Sequence, residues 1–178
     1  DVRAAGHVVE RTPELIDRAG RSYFKLSLML SGTGLLVQDE REAVLQPGDL
    51  AVYDTSRPYS LVFGADFRTM VVMFPRQLVA LPPEMMAQLT AVRVSGHEGL
   101  GAMIVPYLTQ LAANLDQLSG VTGARLTQCA MDLVTTLFTH ELDLDTTPND
   151  PHRALMHRIH AHIDRHLASA DLSPTSIA

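Results

Sequence analysis

From Tyr23 to Phe74 the hydrophobic positions come in short runs, "YFKLSLML", "GLLVQ", "AVL", "LAVYD", "YSLVF" and "FRTMVVMF", parted by "SGTG", "DERE", "QPGD", "TSRP" and "GAD". Apolar runs this short, bounded by Gly, Pro and Asp, predict antiparallel strands joined by tight turns. In the first run Tyr23, Lys25, Ser27 and Met29 alternate with Phe24, Leu26, Leu28 and Leu30. One face of that strand is therefore wholly apolar and packs, while the mixed face either lines a pocket or meets solvent. The charged tetrapeptide at 39–42 predicts a hairpin tip, and Pro47-Gly48 a second tight turn, because Pro fixes φ and Gly accepts φ > 0. Residues 1–82 are thus expected to form a small antiparallel β-barrel or sandwich.

Beyond "PRQLVALPPE" the period changes. Leu100, Ile104, Leu108, Leu111, Leu115 and Leu118 recur at spacings of 4, 4, 3, 4 and 3 and lay one stripe along a helix. Pro106 lies inside it and predicts a kink or a restart. After "SGVTG", Leu126, Ala130, Leu133 and Leu137 make a second stripe with Val134 and Phe138 beside it, an apolar face wider than one partner needs. Residues 83–145 are accordingly expected to be a helical dimerisation region, with Leu126, Ala130, Leu133 and Leu137 as contacts of a homodimer. The acidic stretch "LDLDTTPNDP" (142–151) reads as a linker, and a third amphipathic segment runs from His152 to about Ala168.

Charge and cysteine content narrow the function. The chain has 178 residues, 46% of them hydrophobic, and a net charge of −6. That is enough apolar surface for a core, and the wrong sign for a surface that neutralises phosphates. A single cysteine, Cys129, leaves no internal disulfide, and its helical position between Leu126 and Leu133 predicts a buried, inert thiol. No stretch approaches the roughly 20 apolar residues that span a bilayer. A cytoplasmic protein without membrane contact is expected.

The order of turn motifs carries a resemblance. Over residues 23–82 a Gly-ended strand, a Gln before a charged hairpin, "PGDL", "YDTSRPY" and a closing "PR" follow one another at short spacing, and this segment resembles the cupin-like sensor domain of AraC/XylS-type transcription regulators. The last segment, "HRIHAHIDRHLASADLSPTSIA", is similar to the first helix of that family's DNA-binding domain and the start of the next. The resemblance implies a cupin-like β-barrel at 1–82, helices at 83–145, and at 146–178 a linker and the first helix of a helix-turn-helix domain. It also implies an effector-sensing homodimer that controls DNA binding through a C-terminal domain missing from these residues.

Candidate chemistry is sparse. Enzymes with cupin barrels hold iron, manganese or zinc with histidines and a carboxylate, and no histidine lies between Val8 and Gly96. Five histidines at 152, 157, 160, 162 and 166 fall on an amphipathic segment without a convergent third ligand, so no metal or other cofactor is expected. No nucleophile elbow or phosphate loop is present, so no catalytic residue is nominated. A small organic effector is expected near Tyr23, Lys25, Tyr53, Arg57, Tyr59 and Met73, which combine apolar walls with a few polar groups. Lys25 is the only lysine. For Arg57 two roles stand open: an ion pair with Asp54 or Asp49, or a bidentate clamp on a carboxylate. The alternatives to a sensor are a metal-free or metal-dependent cupin-like enzyme of small molecules, and a barrel that serves only as an interaction module.

Overall fold

Alternation with period two over residues 23–75 gives strands, and each turn motif marks where one ends. The computed structural model describes residues 2–18, 21–79 and 81–145. Its strands are β1 (Val2–Ala5), β2 (Val8–Arg11), β3 (Tyr23–Ser31), β4 (Gly34–Gln38), β5 (Arg41–Leu45), β6 (Leu50–Asp54), β7 (Tyr59–Phe63) and β8 (Asp66–Pro75). A short helix, α1 (Pro13–Asp17), follows β2, and α2 (Pro83–Leu89), α3 (Gly101–Ala113) and α4 (Gly120–Asp145) follow the strands. Two four-stranded antiparallel sheets result, one in the order β1-β8-β3-β6 and the other β2-β7-β4-β5. The expected cupin-like barrel is therefore realised as a sandwich of two facing sheets, with no ladder closing them into a cylinder among the described residues.

The two faces of β3 serve two cores. Phe24, Leu26 and Leu28 join Leu50, Val52, Met70 and Phe74 in a cluster with Met86, Ile104, Leu108, Val134, Leu137 and Phe138 of the helices. Met29, from the mixed face, joins Leu36, Leu45, Tyr53, Tyr59, Leu61, Phe63 and Phe67 between the sheets. The mixed face thus looks at the second sheet.

Turn chemistry explains the register. Asp39 and Glu40 have φ of 53° and 61°, so the β4–β5 hairpin closes through a two-residue turn whose twist suits antiparallel strands. In "PGDL", Gly48 adopts φ of 90°, and the buried Asp49 carboxylate accepts the Gln46 N–H at 2.9 Å and an Arg93 N–H at 3.1 Å. In "YDTSRPY", the buried Asp54 carboxylate accepts the Ser56 N–H at 2.9 Å and the Ser56 hydroxyl at 2.7 Å. The closing Pro75-Arg76 reaches back to the same carboxylate, with Arg76 Nη1 at 2.9 Å from Asp54 Oδ2 and its guanidinium 4.9 Å from the Phe24 ring centre. The "YDTSRPY" turn and the closing Pro-Arg, separate in sequence, thus meet at one end of the sandwich.

The helices depart from expectation in three places. Of the two outcomes open at Pro106, a restart does not occur, since α3 continues through it. Its stripe ends at Ala113, and Leu115 falls in a single 3-10 turn, Leu115–Gln117. α4 presents Ala130, Met131, Val134, Leu137, Phe138 and Leu142 to the sheet, so Ala130 and Leu137 belong to the chain's own core and are not free to meet a second copy. Leu133 is partly buried on that core and Leu126 is 37% exposed. Cys129 is exposed, against the expected buried thiol, because it lies one residue, about 100° of helix, off the inward stripe.

α4 extends to Asp145, so the stretch read as a linker from 142 begins as helix. The third amphipathic segment, the five histidines and "LSPTSIA" lie outside the described residues. No helix among the described residues is long and apolar enough to cross a membrane.

Candidate functional site

Between the sheets, one end is solid and the other is polar. At the solid end the Phe63 and Phe67 rings stack with centres 4.0 Å apart, and Met29, Leu36 and Leu45 are fully buried. At the other end Tyr53 and Tyr59 meet edge to face at 4.7 Å. The register then brings three of the candidate residues into one row, since Lys25 pairs with Tyr53 on one side and with Met73 on the other. Tyr23, two residues before Lys25, shares its face. Met73 is 57% exposed, so the row ends at an open rim.

Arg11 joins this end and was not among the sequence candidates. It pairs with Tyr59 across β2 and β7, and its Nε donates to the Thr55 carbonyl at 3.4 Å. Its charge reaches both neighbours. Burial, and then the Arg11 charge, hold the Lys25 ammonium below the usual lysine range. Burial raises the Tyr59 phenol, opposed by Arg11. Burial also raises Tyr53 strongly, and the neighbouring Tyr59 adds to it. Both phenols therefore stay protonated well past neutrality and can donate hydrogen bonds. Among the described residues no ion pair or hydrogen bond engages the Lys25 ammonium or the hydroxyls of Tyr53 and Tyr59. Two cations and two phenols converge with no acid among them.

Arg57 does not belong to this group. Its guanidinium turns to Asp39, 2.5 Å from Nη1, and to Asp54, 3.5 Å from Nε. Of its two open roles the ion pair is the one seen, with Asp54 and not with Asp49, whose partner is Arg93. Asp39 also accepts the Thr90 hydroxyl at 3.0 Å, and Arg41 donates to the Thr90 hydroxyl and to the Ala87 and Gln88 carbonyls at the end of α2. Arg57 and Arg41 thus fasten the β4–β5 hairpin to α2.

A shallow groove of about 400 Å³ opens beside the polar end, with Arg11, Gln38, Asp39, Pro58 and Tyr59 in its walls. Lys25, Tyr53 and Met73 lie outside those walls. Arg11 and Tyr59 thus belong both to the groove and to the polar end. No cluster of His, Cys, Asp and Glu with the geometry of a metal site occurs among the described residues.

Comparison with known proteins places this architecture. The chain is 32% identical over 179 residues to a protein of the nit 5′ region of Bacillus sp. (strain OxB-1), covering 98% of this chain and 68% of that one. It is 28% identical over 180 residues to the transcriptional activator NphR of Rhodococcus sp., covering 99% of this chain and 53% of that one. The crystal structure of the AraC-like transcriptional activator CuxR superposes with a TM-score of 0.68 at 20% identity, over 97% of this chain and 61% of that chain. The chain thus spans between about half and two thirds of the length of these relatives. A family model, the AraC-binding-like domain, matches residues 1–139. The chain belongs to the AraC-binding-like family, and is the effector-sensing domain of an AraC-type regulator.

Proposed function

We propose that the effector is a small organic acid held at the polar end of the sandwich, with Lys25 and Arg11 on its acid group, Tyr53 and Tyr59 as hydrogen-bond donors, and Tyr23 and Met73 against its apolar body. The observation that carries this is Lys25. A half-buried ammonium beside a second cation, with no carboxylate among the described residues to offset it, is electrostatically incomplete until an anion joins it. Arg57, already neutralised by Asp39 and Asp54, is left out of the site.

The domain acts as a homodimer through α3 and α4. Met103 on α3 and Val121 on α4 are each 73% exposed, and Tyr107 of α3 donates to the Leu126 carbonyl of α4, tying the two helices side by side. The contacts are Met103, Val121 and Leu126, in place of the inward-facing Ala130 and Leu137. Binding of the effector in turn controls DNA reading by a separate helix-turn-helix part of the whole regulator, in the cytoplasm. The similarity to the transcriptional activator NphR supports a regulator over an enzyme.

Calorimetric titration with aliphatic and aromatic monocarboxylates, each paired with its neutral amide, tests the effector reading. Binding of acids and not of amides, lost in Lys25→Met and Arg11→Met, is the expected result. Acids that bind equally well to both variants would remove the site from this end of the sandwich.

A further inference from the structure

The helix-facing side of the first sheet does not close completely against α3 and α4. A cavity of about 290 Å³ lies there, with Leu26, Met70 and Phe74 on the sheet side and Leu108, Met131 and Val134 on the helix side. Leu26, Met70 and Phe74 face it from the side of β3 and β8 opposite Lys25, because neighbouring strand residues point to opposite sides, and Met73 lies at its edge. We infer that this cavity is a second binding site, taking a neutral hydrocarbon ligand of one or two rings.

Three observations support it. The first is size. Protein interiors are packed as densely as organic crystals, and an engineered apolar cavity of about 150 Å³ already stays dry and takes benzene. The space here, about 290 Å³, is larger than that. The second is chemistry. No charged side chain lines the cavity, and Thr127, the one polar side chain, already donates its hydroxyl to the Gly123 carbonyl at 2.9 Å. Water would find too few partners there, and an acid would lose its hydration without compensation. The ligand is therefore apolar and uncharged, unlike that of the Lys25 end.

The third is access. Leu115 and Leu118 line the cavity, and Leu115 is 57% exposed. Leu115 sits in the single 3-10 turn between α3 and α4, held by backbone bonds from Gln117 to Asn114 and from Leu118 to Leu115, each 3.0 Å. One such turn opens far more readily than a helix. The cavity has an apolar lip.

The test is titration of the whole chain, carrying isotope-labelled methionine methyl groups, with toluene and then naphthalene. Aromatic ring currents should shift the Met70 and Met131 methyls together and leave Met29, buried between the sheets, unmoved. Ala112→Leu and Ala130→Leu place a branched side chain in the space from two different helices, and each should weaken binding about tenfold or more. Circular dichroism identifies a variant that has lost its fold, in which case the other decides. Lys25→Met should bind toluene as the parent does, which separates this site from the acid site. Met70 and Met131 methyls unmoved at saturating toluene, a shift of Met29 in their place, or binding indifferent to both leucine substitutions would each overturn the inference.

Discussion

Gln38 pairs with the backbone of Asp54 as if its side chain were a short strand. Its Nε2 donates to the Asp54 carbonyl at 2.8 Å, and its Oε1 accepts the Asp54 N–H at 2.8 Å. Gln38 ends β4 in the second sheet and Asp54 ends β6 in the first, so one amide supplies a bridge where the ladders of the two sheets do not meet. Replacing it by Leu leaves a buried N–H and C=O without partners, at about 1–3 kcal/mol each. Gln38→Leu should therefore lose about 2–6 kcal/mol in urea denaturation, while Val37→Thr, on the outer face, should move the midpoint little. Equal effects from both would deny the bridge its structural role.

Affinity for an acidic effector should depend on the charge of Lys25. Its ammonium loses its proton below the usual lysine range because of burial and Arg11, so affinity should hold through neutral pH and fall as pH rises toward the ordinary value of 10.5. The sign follows from linkage, since above the free-state pKa each binding event must take up a proton. Titrations from pH 7 to 10 should show this fall in the parent and its absence in Lys25→Arg, whose guanidinium keeps its charge across that range.

Stability in alkali should be set by the tyrosines. The folded-state pKa of Tyr53 is raised above 10.0, and that of Tyr59 is raised too, so the unfolded chain releases protons first. Stability contributed by these phenols is present below about pH 10 and is lost as pH rises through that value. The depressed Lys25 acts with the opposite sign, stability rising as pH climbs toward its unfolded value. Tyr53→Phe should flatten the alkaline loss seen in urea midpoints between pH 9 and 11. A parent whose midpoint does not fall there would contradict the burial of these groups.

Two glutamate substitutions on α4 should give different failures. Val121→Glu puts a charge on an exposed apolar position and should yield a folded monomer in light scattering. Leu137→Glu buries that charge in the helix-side core and should unfold the domain, as even Leu137→Ala is expected to cost about 2–5 kcal/mol. A dimeric Val121→Glu would move the interface off this face.

The strands and turns from Tyr23 to Phe74 were legible because each turn needs particular residues, and alternation with register placed Lys25, Tyr53 and Met73 in one row. Arg11 was not legible. It sits in the four-residue strand Val8–Arg11, too short to show a period, and only pairing with Tyr59 carries it to the site. Its one signal was the alternation of Val9 and Arg11, which puts both on the inner face. The face of α4 was ambiguous for a different reason. Leu126, Ala130, Leu133 and Leu137 form as good a stripe as Ala130, Val134, Leu137 and Phe138, and the bulk of Phe138 and Met131 against the sheet decides between them. Arg57 looked available because Asp39, its nearest anion, is 18 positions away in sequence and meets it only in the fold.

The shared wall formed by β3 and β8 has a thermodynamic corollary. A single thickness of backbone separates Lys25 and Met73 on one side from Leu26 and Phe74 on the other. Any coupling between the polar mouth and the helix side therefore has to cross a partition one strand deep, with no relay of intervening side chains. Coupling of this kind is mutual, so whatever factor a mouth-bound acid imposes on affinity at the helix side is returned unchanged in the other direction.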